Sequence, residues 1–307
     1  MNTSRAAKIL EIPLSTAYAW RKRSTARREW ARTQLVGAAP PAKAAEDERI
    51  QALMRTCKAS HPYWGYRRVR AWLRRRHGIR IGRKRANRLL REAGLLCTRF
   101  RYKPKRRPVA QPQATAPRQA WQIDMTSLVL SDATRLFLVL VLDVFTRKIV
   151  GWTLSRRCRA REWTDAIEQA VLAEFPDGVR GQGLVCRSDN GCQPTSRRYI
   201  ETLNTLGIAA EFTAYSTPES NAYVERVIRT IKEDGIWPFD FETEQEAKEQ
   251  IARTIREYNR DYPHSSLNEH SPEEFEKLWR QGRVKVERYT DAKGRERTRV
   301  ILSQNAA

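Results

Sequence analysis

Three things are missing from this chain of 307 residues. No apolar run reaches membrane-spanning length; the most apolar stretch, LFLVLVL at 136–142, has the size of one β-strand, which excludes a transmembrane helix. There is no cysteine framework either. Cys57, Cys97, Cys158, Cys186 and Cys192 are scattered, odd in number and without a CxxC pair, the pattern of a reduced, cytoplasmic protein and not of a stapled secreted one. The opening residues MNTSRAAK contain no apolar segment of the kind that directs secretion. Acid is scarce in the first part of the chain. Residues 1–118 hold 31 Lys and Arg against 6 Asp and Glu, whereas 119–307 hold 27 against 29.

What is present follows from that asymmetry. The formal charge of +23 is concentrated in a basic region attached to a near-neutral one. A hydrophobic content of 40% with nine Trp makes this a folded protein and not a basic tail. The first region is suited to salt-dependent affinity for a polyanion, of which DNA is the obvious case, and the second to chemistry on it.

The basic region reads as helical. Residues 4–23 offer a short helix carrying Ala7 and Leu10, a break at Glu11-Ile12-Pro13, and a second helix ending in Arg21-Lys22-Arg23. This predicts a helix-turn-helix within an N-terminal segment 1–37, a plain helical hairpin being the other reading. Residues 34–45 read as a linker in which Pro40-Pro41 blocks helix continuation. A second module, 46–100, starts with a helix marked by Ile50, Leu53 and Met54. The aromatic turn HPYWGY (61–66) leads into a helix with Val69, Trp72 and Leu73 on one side. After the break between Gly78 and Gly82, a third helix buries Ala86, Leu89, Leu90 and Ala93 and stops at Gly94. Its outer face presents Arg83, Lys84, Arg85, Asn87, Arg88 and Arg91. A charge run is usually only a solvated face, but almost no acid offsets this one, so it is expected to meet DNA, together with Arg67 and Arg68 upstream. Residues 101–118, with four prolines and six basic residues, predict an extended linker that tracks phosphates or serves as a spacer.

From Ala120 the periodicity changes. WQIDMT (121–126), RLFLVLVLD (135–143) and KIVGWTL (148–154) predict a three-stranded meander, followed by a helix over 161–175, a strand over 183–188, a helix over 196–206 and a strand over 208–213. That order describes a mixed α/β sheet flanked by helices, of the ribonuclease-H-like kind. Further helices over 243–258 and 272–279 and a hairpin within 283–302 complete the expectation.

Three acids stand out against this frame. Asp124 lies on the first strand and Asp189 at the end of a later one, in CRSDNG (186–191). Glu225 lies in NAYVER (221–226), on a helix expected to begin near Thr217-Pro218, and 35 residues lie between the last two acids. On that helix Val224, Val227, Ile228 and Ile231 form the buried stripe, and Glu225, Arg229 and Lys232 an adjacent one. Carboxylates are hard oxygen ligands, and such a set can hold a pair of Mg²⁺ ions for phosphodiester chemistry. Each acid alone is more simply a surface charge, and Asp143, which also follows a strand, reads as structural. A zinc module is not supported: Cys57, His61, His77 and Cys97 match no ligand spacing, and core packing for the cysteines with surface exposure for the histidines is the expectation. A tyrosine recombinase would need an Arg-His-Arg constellation that the four His do not provide.

The stretch from about Trp121 to Trp279 resembles the catalytic core of DDE transposases of the retroviral integrase superfamily, in particular the OrfB-type transposases of bacterial insertion sequences. The matching residues are WQID (121–124), DVFTRKIVGW (143–152), SDNG (188–191), YSTPESNAYVER (215–226), Lys232 and YNRDYPH (258–264) before Ser271-Pro272; upstream, 7–20, 63–69 and 84–95 resemble the family's helix-turn-helix regions. One departure is Arg187, where relatives often carry His. The resemblance implies catalytic and metal-binding roles for Asp124, Asp189 and Glu225, two Mg²⁺ ions for which Mn²⁺ can substitute, and phosphate contacts from Lys232 and Arg229. It also implies double-stranded DNA (transposon ends and target) as partner, a homo-oligomer on DNA, and an upstream reading-frame partner or frameshift fusion, in the bacterial cytoplasm. The competing classes are a non-catalytic DNA-binding regulator, such as a decayed transposase, and a nuclease that cuts without joining.

Overall fold

The structure, a computed structural model, describes residues 41–96, 114–213, 221–290 and 296–302. The expected helix-turn-helix at 4–23 and most of the basic linker fall outside the described residues. The chain divides into two compact units, Met1–Arg55 and Thr56–Ala307. What is described of the first belongs to helix α1 (Pro41–Ser60). Residues 41–45 are therefore helix and not linker. A proline has no N–H to satisfy in the first turn of a helix, so Pro41 opens α1 where it was expected to block one.

In the second unit, α2 (Tyr66–His77) stops at Gly78, whose φ of 67° lets its N–H reach back to the last turn. Helix α3 (Arg83–Glu92) follows. Val69, Ala71 and Leu73 of α2 and Ala86, Leu89 and Leu90 of α3 are buried, as the apolar spacing requires. His61 departs from expectation. It is stacked on Trp64 with centroids 3.9 Å apart, and burial lowers its pKa to about 4.

The sheet is built from β1 (Ala120–Val129), β2 (Arg135–Asp143) and β3 (Ile149–Ser155), then α4 (Ala160–Glu174), β4 (Val185–Ser188), α5 (Arg197–Leu206) and β5 (Ala209–Phe212). Its order is β3-β2-β1-β4-β5; β1, β2 and β3 run antiparallel, and β4 and β5 are parallel to β1. This is the mixed arrangement expected of a ribonuclease-H-like core, with β1 central. After β5 come α6 (Ala222–Ile231), α7 (Glu244–Asp261), α8 (Pro272–Arg280) and the antiparallel hairpin β6 (Val284–Thr290) and β7 (Glu296–Leu302).

Helices cover both faces of the sheet. On one side Trp121, Ile123, Val139 and Val141 pack with Ala166, Ile167 and Ala170 of α4 and with Tyr199 and Leu203 of α5. Gly151 permits this approach, because a Cβ there would stand 2.3 Å from the carbonyl oxygen of Ala166. On the other side α6 lies against β1 and β2, and α7 against β3 and α6.

The turn after β2 explains Asp143. Its Oδ1 accepts from the N–H groups of Phe145 and Thr146 and from the Thr146 hydroxyl, and its Oδ2 accepts from Arg118 N at 2.7 Å. It is the structural residue expected. Beside it, Lys148 bridges Glu174 at 2.7 Å and Glu276 at 3.0 Å, tying α4 and α8 to the start of β3. Among the described residues no helix is long and apolar enough to cross a membrane.

Candidate active site

The sheet's period of two sorts the residues of β1. Trp121, Ile123 and Met125 face α4 and α5, which leaves Gln122 and Asp124 facing α6. In the parallel pair, Trp121 sits opposite Cys186 and Gln122 opposite Arg187. The pairing ends there; β4 closes at Ser188, and Asp189 follows it near enough for its charge to reach Asp124. Asp189 is exposed where the chain leaves β4, at the carboxyl ends of parallel strands where sites in α/β sheets form. Glu225, also exposed, lies in the first turn of α6 on this side of the sheet.

Asp124 senses the other two acids. The Asp124 carboxyl is pushed up to about 7, first by burial and then by the charges of Asp189 and Glu225, against a lowering influence from Lys232. One oxygen of Asp124 accepts from Met125 N at 2.7 Å, and Oδ1 of Asp189 accepts from Gly191 N at 3.1 Å. Among the described residues no group of three or more His, Cys, Asp or Glu is placed to hold a metal ion as it stands. The donor set nevertheless suits a divalent cation in kind: carboxylate oxygens in mutual repulsion, one of them half-buried. The side-chain oxygen of Asn221, beside β1, is likewise buried without a hydrogen-bond partner.

Two positioning residues were not singled out in the sequence. The side-chain oxygen of Gln122, fully buried, accepts from Val224 N at 3.1 Å, and the Asn221 side-chain amide donates to the Ile123 carbonyl at 3.1 Å. Together they fasten the first turn of α6, and with it Glu225, to the strand that carries Asp124. The available sign was a glutamine between two core residues, on the same face as Asp124 by alternation.

Other expected residues are placed as follows. Arg187 is held by Glu211 of β5 through two bonds of 3.0 and 2.7 Å, so its charge is matched within the sheet. The stripe of Glu225, Arg229 and Lys232 is not uniformly α-helical. Helix α6 ends at Ile231 and widens into a π-helical turn, Lys232–Ile236, so Lys232 opens a different geometry, while still standing close enough to influence Asp124. The widening accompanies a close approach, since a Cβ on Gly235 would lie 2.3 Å from the Thr254 hydroxyl of α7. Arg229 is paired at 3.0 Å with buried Glu233 of that turn, and Asp234 accepts from Trp64 Nε1 at 3.0 Å. On α3, Arg83, Lys84, Arg88 and Arg91 are exposed, Arg85 and Asn87 are half-buried, and Arg88 pairs with Glu92 at 3.0 Å. Of the pair before them, Arg67 is exposed and Arg68 lies over the Tyr262 ring at 4.5 Å. These basic residues are not brought to the three acids by any contact among the described residues.

Comparison with known proteins decides the family. Residues 114–218 and 206–272 each match an integrase core domain, and 44–104 match a helix-turn-helix-like domain. The transposase for insertion sequence element IS904 of Lactococcus lactis is 35% identical over 65% of this chain and 82% of its own length. The chain belongs to the insertion-sequence transposases. Transposase InsD of the Escherichia coli element IS2 is 28% identical, over 70% of this chain and 73% of its own length. Among solved structures, the catalytic core of HTLV-2 integrase in complex with magnesium covers 53% of this chain and 99% of its own, at 15% identity and a TM-score of 0.41. As a transposase of the integrase type, the protein is an enzyme of the polynucleotidyl transferase class, built from domain types that bind DNA.

Proposed function

We propose that this transposase nicks the ends of its element and joins the freed 3′-OH to target DNA by in-line displacement at phosphorus, with Asp124, Asp189 and Glu225 as its catalytic, metal-holding residues. The observation that carries this reading is that Asp124, raised to about 7 first by its burial, also feels the charges of Asp189 and Glu225. A set of carboxylates kept in repulsion is a poor structural device and a good binding site for cations. Divalent ions bound there, Mg²⁺ or Mn²⁺, would supply stabilisation of the attacking and leaving oxygens.

The chain's own residues account for the rest. In the first step a water oxygen bonds to phosphorus as the 3′-oxygen leaves and takes a proton. In the second, that 3′-OH attacks a target phosphodiester, one P–O bond forming as another breaks, so no nucleotide cofactor is consumed. Lys232, beside Asp124, carries the positive charge placed to position a phosphate, and Arg229, oriented by Glu233, is a second candidate. The exposed face of α3 would hold duplex DNA within the region 46–100, and Arg67 and Arg68 would make further DNA contacts there. Residues 1–37 would form a further DNA-binding module, with the core over 119–280. Bringing two ends together implies a homo-oligomer on DNA, and family relatives make a frameshift fusion with an upstream partner the form to test. The reading places the protein in the cytoplasm with the nucleoid.

The test is incubation of purified protein with labelled element-end DNA and Mg²⁺ or Mn²⁺. Joined products that disappear in Asp189→Ala and Glu225→Gln support the assignment; full strand transfer by both variants would falsify it. Salt-sensitive binding with no cleavage in any metal would point instead to a regulator.

A further inference from the structure

A cleft of about 810 Å³ opens beside α6, on the flank away from Lys232. Its walls come from the aromatic turn and α2 on one side, and from α6 and the 262–266 turn on the other. Among the described residues four guanidinium groups line it, those of Arg67, Arg68, Arg147 and Arg226, against the single carboxylate of Glu269, which is itself engaged by Arg74 at 3.4 Å. Neither Arg67, Arg68 nor Arg147 has an ion pair among the described residues.

The charges are also aimed. Arg147 has a φ of 62°, the left-handed region that a non-glycine residue adopts only at a cost of roughly 1–2 kcal/mol. The turn built by Asp143 holds it there, and the Tyr258 hydroxyl donates to its carbonyl at 3.0 Å. Its guanidinium carbon lies over Tyr223, 3.5 Å from the ring centroid, and one guanidinium nitrogen donates to the Val144 carbonyl. Held by the ring and that bond, the guanidinium keeps its remaining N–H groups for an anion. The same arginines bear on His264. Burial and the charges of Arg147, Arg68 and Arg226 hold its pKa well below the usual range, and its Nε2, buried at the cleft, has no hydrogen-bond partner. A neutral imidazole with an unmatched nitrogen, surrounded by cations, calls for a polar ligand with negative charge.

We propose that this cleft binds an unpaired stretch of the substrate DNA, its phosphates held by Arg67, Arg68, Arg147 and Arg226 and its bases stacked on Tyr63 and Tyr66. Tyr223 and Arg226 reach the cleft from α6, whereas Glu225 belongs to the stripe of Arg229 and Lys232, so the cleft is a surface distinct from the three acids. That the DNA is the substrate rests on the reading given under the proposed function. Basic groups interleaved with aromatic faces are the usual means of holding unpaired nucleic acid.

The experiment uses the full chain and fluorescence anisotropy with a short labelled oligonucleotide of mixed sequence, compared with its blunt duplex over a range of salt. Arg67→Gln and Arg147→Gln should each weaken single-strand binding by about tenfold. Each should also reduce the salt slope by about 0.7, with duplex affinity changed by no more than about twofold. Arg147→Lys should keep the slope and recover only part of the affinity, because it restores charge but not the guanidinium fork. Arg67 is exposed on α2, so its variant reads out even if the Arg147 turn does not tolerate substitution. Unchanged single-strand affinity and slope in Arg67→Gln and in folded Arg147→Gln would overturn the proposal, as would equal losses on duplex. Strand transfer by Glu225→Gln, assayed in parallel, bears only on the reaction. Its persistence alongside weakened single-strand binding in Arg67→Gln would sink the reaction assignment and leave the cleft; the reverse pair of results would sink the cleft alone.

Discussion

Gln122 and Arg187 lie opposite each other in the parallel pair of β1 and β4, each two residues before an acid, Asp124 on β1 and Asp189 just past β4. Two acids remote in sequence thereby come close enough for the charge of Asp189 to act on Asp124. The Gln122 side chain, on the face of Asp124, then anchors the helix that supplies the third.

Folding raises the Asp124 carboxyl from 3.8 to about 7, and that has a consequence for stability. A carboxyl that holds its proton more tightly when folded favours the native state fully below the unfolded value. That contribution drains away as pH climbs through the interval to about 7 and is gone above it. Asp124→Asn should therefore stabilise the fold at pH 8 by an amount on the order of 2–4 kcal/mol, read as a higher melting temperature. The gain should shrink to nothing near pH 4, while strand transfer is lost throughout. Thermal melts across this range check it; a gain independent of pH would rule out titration of Asp124 as the cause.

Divalent cations should act in the opposite direction on the wild-type chain. Millimolar Mg²⁺ or Mn²⁺ relieves the repulsion among the three carboxylates, so the melting temperature at pH 8 should rise, and chelator should reverse the rise. The increment should vanish in Asp124→Asn. An equal metal response in that variant would place the cation elsewhere.

Removing the Gln122 anchor leaves the buried N–H of Val224 without its acceptor. Gln122→Leu should cost about 1–3 kcal/mol in denaturant unfolding, and Asn221→Ala a similar amount for the Ile123 carbonyl. Strand transfer should fall further than stability accounts for, because Glu225 loses its fixed distance from β1. Activity at the wild-type level in a folded Gln122→Leu would remove its positioning role.

Lys148 neutralises two nearly buried carboxylates, with Glu174 and Glu276 exposing 6% and 7% of their side chains. Lys148→Met would leave Arg118 and Arg280 as their remaining partners. A loss of about 3 kcal/mol is expected, with partial recovery in the double variant with Glu174→Gln. A double-mutant cycle measures the coupling; additive losses would mean that the bridge contributes nothing.

Gly235→Ala forces a methyl group onto Thr254 and should cost about 1–3 kcal/mol. Thr254→Ala in the same chain should recover part of the loss, since it removes the two nearest atoms but not the Thr254 Cβ at 2.7 Å. No recovery would mean that the clash is absorbed elsewhere.

Much of this protein was legible in its residues. The alternation of 121–126, the apolar run 136–142 and the helical stripe of Val224, Val227, Ile228 and Ile231 predicted elements that the structure contains, because period and burial are local consequences of one buried face. Asp143 also read correctly, as a structural acid, and the structure shows it building the turn after β2. Three readings failed for reasons local pattern does not encode. Pro41 lies in a first helical turn and not in a linker, His61 is stacked on Trp64 and not exposed, and Lys232 begins a π turn because Gly235 must pass close to Thr254. Each depends on a neighbour in space or on which side of a boundary a residue falls.

Residue types, their order and their spacing thus determined the α/β class, the division into a basic and a near-neutral region, and the three acids to examine. Only the tertiary structure decided that Asp189 and Glu225 come near enough to act on Asp124, that Glu211 answers the charge of Arg187, and that Arg147 lies over Tyr223. The physical reason is range. Propensity and period act over a few residues, whereas strand register and the burial of an opposing charge are fixed by partners that the chain reaches only once it has folded.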